Sequence, residues 1–377
     1  SNSRVTVKEA AYILMRDGYM KASGGGHLPA NARQIMYAIR GRIEALTEQT
    51  LNDVYFTQVL VPDYIRQHPD QTATWDVVYD ARGHLWEPHS GEQVGLGTLE
   101  VRDYLRDSDR PPDLDIKAPR LSSRFPTRGP RNRYNAVLYI EKEGFLPLLE
   151  RARFAERYDL AIMSSKGMGT TAARTLIERL SKAAVIFVLH DFDKAGFSIL
   201  GTLTRDTRRY EYARRPRVVD LGLRLADVEK WGLESESVDW RSDARPNLKV
   251  NGATPEEVQF LCPHDWKGSY GLRVELNAFS SDQFVEWLDG KLTSNGVKKV
   301  IPGSETLEHA YRRAAAVREY QKIIDEAQEK VIAYTNDLSV PHDLAARLAV
   351  VLADDPALSW DRAVQLLEAG TAGTRRD

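Results

Sequence analysis

The chain of 377 residues is 42% hydrophobic and 28% charged, which supports a substantial core and roughly two or three domains. Its formal net charge is −2, and the single cysteine, Cys262, excludes an internal disulfide and a cysteine-rich zinc module and fits a reducing, cytoplasmic compartment. The longest apolar run, 183–189, is far short of the roughly 20 residues that cross a bilayer, and the charged N-terminus lacks the apolar run of a secretion signal, so no membrane association is expected.

Residues 5–19 and 31–47 have helical spacing, and Pro29 with Asn31 supplies a start signal for the second helix. Between them lies Ser23-Gly24-Gly25-Gly26. No Gly-Lys-Ser/Thr follows this run, so it reads as a turn rather than a phosphate cradle. Short strand-like runs at 75–79 and 84–87 flank Ala81-Arg82-Gly83 and predict a hairpin. Two helices and a hairpin are compatible with a winged-helix-like α+β domain over 1–106. Residues 107–133, rich in Pro, Asp, Ser and Arg, read as a linker.

Over 134–300 the pattern changes. Apolar β-rich runs at 135–140, 160–164, 184–189 and 217–221 alternate with helical stretches at 145–158 and 170–182. This alternation predicts an α/β fold, a parallel sheet covered by helices on both faces. Residues 301–377 form a helical C-terminal extension, in which Ser304 caps a long helix running toward Asn336 and two short helices follow.

In parallel sheets ligands bind beyond the carboxyl ends of the strands. Glu141 directly follows the first strand, and Asp191-Phe192-Asp193 follows the third by way of His190. Residues i and i+2 of an extended segment point to the same side, so Asp191 and Asp193 can present oxygens together. Carboxylates converging in this way repel and raise one another's pKa values; a divalent ion relieves the cost, and Mg2+ suits such a donor set. Lys166, in the turn Ser165-Lys166-Gly167-Met168-Gly169, is a candidate phosphate contact, although the glycines also serve as simple turn geometry. Arg174, just inside the next helix, reaches either a phosphate or a surface salt bridge. Two arginine clusters, one holding Arg124 and Arg128 and the other Arg205, Arg208 and Arg214, are candidate DNA-binding surface or solvated loops.

The run Val137-Leu138-Tyr139-Ile140-Glu141-Lys142, the Ser165 to Gly169 turn with Ala173-Arg174, and His190-Asp191-Phe192-Asp193-Lys194-Ala195-Gly196-Phe197 together resemble a Toprim domain of the family that unites the meiotic double-strand-break protein with the topoisomerase VI A subunit. The segments Leu221-Gly222-Leu223 with Asp227, and Arg273-Val274-Glu275-Leu276-Asn277-Ala278, are similar to later parts of that family. Lys194 stands where relatives often have proline. Upstream, Arg33-Gln34-Ile35-Met36-Tyr37 resembles the motif that ends in the family's nucleophilic tyrosine, with Met36 in place of the usual aromatic.

The resemblance implies catalysis by Tyr37, Arg33 and Glu141, with Mg2+ held by Glu141, Asp191 and Asp193. It implies cleavage of double-stranded DNA to leave a phosphotyrosyl link, and a homodimer in which Tyr37 of one chain serves the acidic cluster of the other. No ATP-binding motif is present, so strand passage would require a separate ATPase subunit. The rival expectation is a Toprim nuclease that hydrolyses DNA with a metal-activated water, Tyr37 being structural.

Overall fold

The computed structural model describes residues 5–79, 84–111, 113, 115–164, 171–206, 211–240, 242–263 and 270–373, with the backbone alone at 171, 172 and 371–373. The chain begins with helix α1 (Val7–Ala22), closed by a Thr6/Glu9 capping box, and helix α2 (Ala32–Thr47). Asn31 caps α2 by accepting from the Arg33 amide at 2.9 Å, and Gln34 reaches back to the Asn31 amide at 2.8 Å, satisfying amides that a helix start leaves open. Ala10, Leu14 and Met15 of α1 share a buried core with Ile35, Met36, Ile39 and Ile43 of α2. The glycine run is a turn, as expected: Ser23 Oγ donates to the Tyr19 carbonyl at 2.6 Å, and Gly24, Gly25 and Gly26 all have positive φ.

The strands that follow pair differently from the expected hairpin. Strand β1 (Ala30–Asn31) pairs in parallel with β2 (Val77–Val78), while β3 (His84–Trp86) pairs with β4 (Gln93–Gly95). Burial explains the correction. Both valines of β2 are buried, Val77 within the core of α1 and α2, whereas all three residues of β3 are exposed. Residues 81–83 lie outside the described residues.

Strands β5 (Ala136–Ile140), β6 (Leu160–Ser164), β7 (Val185–Leu189) and β8 (Val218–Gly222) form one parallel sheet in the order β6-β5-β7-β8. Alternate residues of β5 and β7 feed two cores, as strand geometry requires. Leu138, Ile140, Phe187 and Leu189 pack with Phe145, Leu148 and Phe154; Val137, Tyr139, Ile186 and Val188 pack with Ile177, Ile199 and Leu203. The single helix expected over 145–158 is broken at Arg153, whose φ of 55° separates Leu146–Arg151 from Phe154–Tyr158. An antiparallel pair, β9 (Glu236–Asp239) with β10 (Tyr270–Arg273), sets Glu236 directly opposite Arg273.

Compactness groups 1–84, 95–107 and 127–302 in one unit, so α2 and the parallel sheet belong together. Gln34 Nε2 donates to the Phe279 carbonyl at 3.0 Å, and Ser281 Oγ to the Pro29 carbonyl at 2.6 Å. The second unit comprises 85–94, 108–126 and 303–377. It contains the helices Ser304–Asn336, Leu344–Asp354 and Trp360–Gly373, the first capped by Gly303 rather than by the expected Ser304. Part of the expected linker is fixed there: the Leu121 amide donates to Gln321 at 2.9 Å, and Gln321 donates to the Pro119 carbonyl at 3.2 Å. Among the described residues no helix is long and apolar enough to cross a membrane.

Candidate active site

The acidic residues follow the carboxyl ends of β5 and β7. Phe192 is fully buried and held to Val274 by hydrogen bonds of 2.8 and 3.1 Å, which fixes the backbone between the two aspartates. Asp191 Oδ1 accepts from the Leu276 amide at 2.8 Å, and its Oδ2 lies 2.8 Å from Lys142 Nζ. Asp193 Oδ1 accepts from the Gly196 amide at 2.7 Å and so caps the helix Lys194–Thr204. Gly196 is sterically required: a Cβ there would stand 2.1 Å from the Asp191 carbonyl oxygen.

Burial, then the charge of Asp191, pushes Glu141 up to about 6. The same two causes raise Asp193. Burial works against the charge of Lys142, but Asp191 and Glu275 outweigh it and keep the ammonium protonated. Among the described residues the carboxylates do not close into a metal-holding group; Asp191 is engaged by Lys142 and Leu276, and Asp193 by Gly196.

Tyr37 belongs to the same connected network. Its side chain is only 5% exposed, and its hydroxyl donates a short hydrogen bond to Glu236 Oε1. Glu236 also receives Arg40 Nη1 at 3.0 Å and Arg273 Nε and Nη2 at 2.9 and 2.8 Å. Arg273 Nη2 lies 3.2 Å from Glu275, which in turn faces Arg33 Nε at 3.1 Å and Lys142 at 3.2 Å. An unbroken series of polar contacts thus joins the tyrosine to Asp191 within one chain. Burial first, then the charges of Glu275 and Glu236, raises the Tyr37 phenol well above its ordinary pKa, and Arg33 opposes them. For Glu236 burial acts upward, but the Tyr37 hydroxyl and Arg273 outweigh it and hold the carboxyl below its usual range. Within this chain the Tyr37 hydroxyl is held by Glu236, a residue outside the acidic cluster expected to receive it.

Residues 136–286 match the family model of the topoisomerase 6 A-subunit/Spo11 Toprim domain. This segment is a Toprim domain of that family. Over 153 residues the chain is 25% identical to the A subunit of the type 2 DNA topoisomerase 6 of Archaeoglobus fulgidus, covering 39% of this chain and 41% of that relative. The match therefore spans less than half of either protein.

His190, without a role from sequence, is fully buried in the Toprim domain. Its Nδ1 lies 2.7 Å from the Asp191 carbonyl and its Nε2 3.0 Å from Asp220. Both partners accept, so both ring nitrogens donate and the ring is an imidazolium. Burial alone would lower its pKa; the hydrogen bond and charge of Asp220 overcome this and raise it.

Arg174 is corrected as a DNA-binding candidate. It is 5% exposed, and its guanidinium donates to the Thr202 and Arg205 carbonyls and to the Tyr212 hydroxyl. Arg124 and Arg128 are exposed, the first in the second compact unit and the second in the first. Lys166 and Arg208 lie outside the described residues. Sequence reasoning passed over Arg40 and Glu236. The positions Arg33, Tyr37 and Arg40, at i, i+4 and i+7, marked one face of α2, whereas nothing around Glu236 distinguished it.

Proposed function

We propose that this chain cleaves double-stranded DNA by transesterification, as a type IIB topoisomerase A-subunit-like enzyme. The observation that carries the reading is the polar series from Tyr37 through Glu236, Arg273, Glu275 and Lys142 to Asp191. In the reaction the Tyr37 oxygen bonds to phosphorus, the bond from phosphorus to the leaving sugar oxygen breaks, and the phenol proton departs while the leaving oxygen gains one. Arg33 favours the phenolate, since its charge lowers the Tyr37 pKa against the effects of burial and the two glutamates. The three carboxylates Glu141, Asp191 and Asp193 are hard oxygen donors whose repulsion a divalent cation would relieve. Mg2+ held there would neutralise charge on the phosphate and leaving oxygens. Lys142 supplies the counter-charge to Asp191 until then. A homodimer suits two cuts in antiparallel strands, and a separate ATPase subunit would be needed for strand passage.

One observation favours a second reading. The buried, proton-holding Tyr37 is compatible with a structural role, in which case the domain is a Toprim nuclease and DNA is hydrolysed by water. The two are separated by incubating the full chain and its Tyr37→Phe variant with Mg2+ and end-labelled duplex, then denaturing. Transesterification predicts a DNA adduct that survives denaturation in the native chain and none in the variant. Cutting by Tyr37→Phe at the native rate would establish the hydrolytic reading instead.

A further inference from the structure

The Tyr37 hydroxyl, Arg40 and Arg273 converge on one carboxylate. Glu236 enters from β9 with its side chain 7% exposed and receives the Tyr37 hydroxyl, Arg40 and both Nε and Nη2 of Arg273. The Arg40 guanidinium also stacks on the Tyr37 ring, 4.5 Å from its centroid. Two guanidinium groups and a nucleophilic hydroxyl around one small anion form an oxyanion cradle, because planar arginine forks suit phosphate as well as carboxylate. The cradle is larger than its occupant. Arg40 Nη2 is buried with no hydrogen-bond partner among the described residues, a donor that the two oxygens of Glu236 leave unused. A phosphodiester is also singly charged, and it offers ester oxygens in addition to its two non-bridging ones.

We propose that the cradle of Tyr37, Arg40 and Arg273 is the seat of a DNA backbone phosphate and that Glu236 is a built-in plug imitating that phosphate. The inference rests on the transesterification reading for the role of Tyr37, but its binding consequence can be read separately. DNA enters by displacing the Glu236 carboxylate, which also frees the Tyr37 hydroxyl from the group that holds its proton. The short β9–β10 pair that carries Glu236 joins only four residues on each strand, so the plug is withdrawn by separating a small ladder. Arg40 and Arg273 then act as positioning residues for the phosphate.

The test measures duplex affinity of the full chain by fluorescence anisotropy across a salt series, in chelator to suppress cleavage. Glu236→Gln keeps the shape and removes the competing charge. It should bind about tenfold tighter, with a salt dependence steeper by about one phosphate contact. Arg273→Ala should bind more weakly than the native chain. Glu236→Asp, which withdraws the carboxylate by one methylene, should fall between the native chain and Glu236→Gln, and it decides the matter by the same readout if the glutamine variant does not fold. A folded Glu236→Gln with native affinity and native salt dependence overturns the plug. A tighter-binding Glu236→Gln that forms no adduct with Mg2+ keeps the plug and removes transesterification, whereas native adduct formation with unchanged Glu236→Gln binding does the reverse.

Discussion

Lys142→Met should make the stability of the chain depend on Mg2+. Lys142 Nζ lies 2.8 Å from Asp191 and 3.2 Å from Glu275, with its side chain 21% exposed. Removing one partner of a buried ion pair costs about 3–5 kcal/mol. Two features reduce that here: Asp191 keeps the Leu276 amide, and Glu275 keeps Arg33 and Arg273. With partial solvent screening, a loss of about 2–3 kcal/mol is expected in chelator, a fall of roughly 4–5 °C in Tm for a unit of this size. Asp191 then has no ammonium beside it, and a divalent ion no longer competes with one for its carboxylate. Mg2+ at about a hundredfold above its Kd returns about 2.7 kcal/mol by mass action. The assay is urea or thermal unfolding of the native and variant chains with and without Mg2+. If Lys142→Met is as stable as the native chain in chelator, or gains no more from Mg2+ than the native chain does, the view of Lys142 as a resident counter-charge fails.

Asp191→Ala and Asp193→Ala should each abolish DNA cleavage, and Asp193→Ala should lose about 1 kcal/mol more than its metal role requires because the cap on Gly196 goes with it; full cutting by either at limiting Mg2+ would refute the acidic-cluster assignment. Arg174→Ala should destabilise by about 2–3 kcal/mol through its orphaned carbonyl partners, leaving duplex affinity within a factor of about two; a large selective loss of DNA binding in a stable variant would return Arg174 to the DNA surface. Burial raises Asp220, but His190 and Arg224 outweigh it and depress it to about 2, so its contribution to stability is present above the ordinary carboxylate pKa of about 3.9 and is lost as pH falls through about 2. His190, whose pKa is raised, contributes below about 6.5 and loses that contribution as pH rises through its folded value. Asp220→Asn should therefore flatten both flanks of the curve of stability against pH, measured by urea unfolding, and an unchanged profile would contradict the ion-pair reading.

The parallel sheet was legible because its strands are short apolar runs ending in acidic or polar residues, and β5 to β8 fall within a residue of the expected limits. Helix α2 was legible through Asn31 and Gln34, a local capping pattern. The hairpin was not, because strand-like spacing at 75–79 cannot say whether a valine pair meets the next strand or β1, 47 positions before Val77 in the ladder Ala30↔Val77. The three acidic residues could be named from their places after strands, but the engagement of Asp191 by Lys142 and Leu276 and of Asp193 by Gly196 depends on side-chain and backbone contacts that spacing does not encode. Glu236 was invisible for the same reason: it lies 199 positions from Tyr37, and only the fold brings them together. Arg174 shows the converse error, a cation suitably placed in sequence whose hydrogen bonds are spent on backbone carbonyls.

The tight contact at Gly196 constrains how this loop can be redesigned. The loop bearing Asp191 and Asp193 and the first turn of the helix after it touch so closely that neither can drift alone: a side chain at position 196 would push on the carbonyl of the first aspartate while disturbing the amide that steadies the second. Loop and helix are therefore coupled as one block. Transplanting the paired aspartates into another strand–helix crossover would succeed only if the glycine travelled with them.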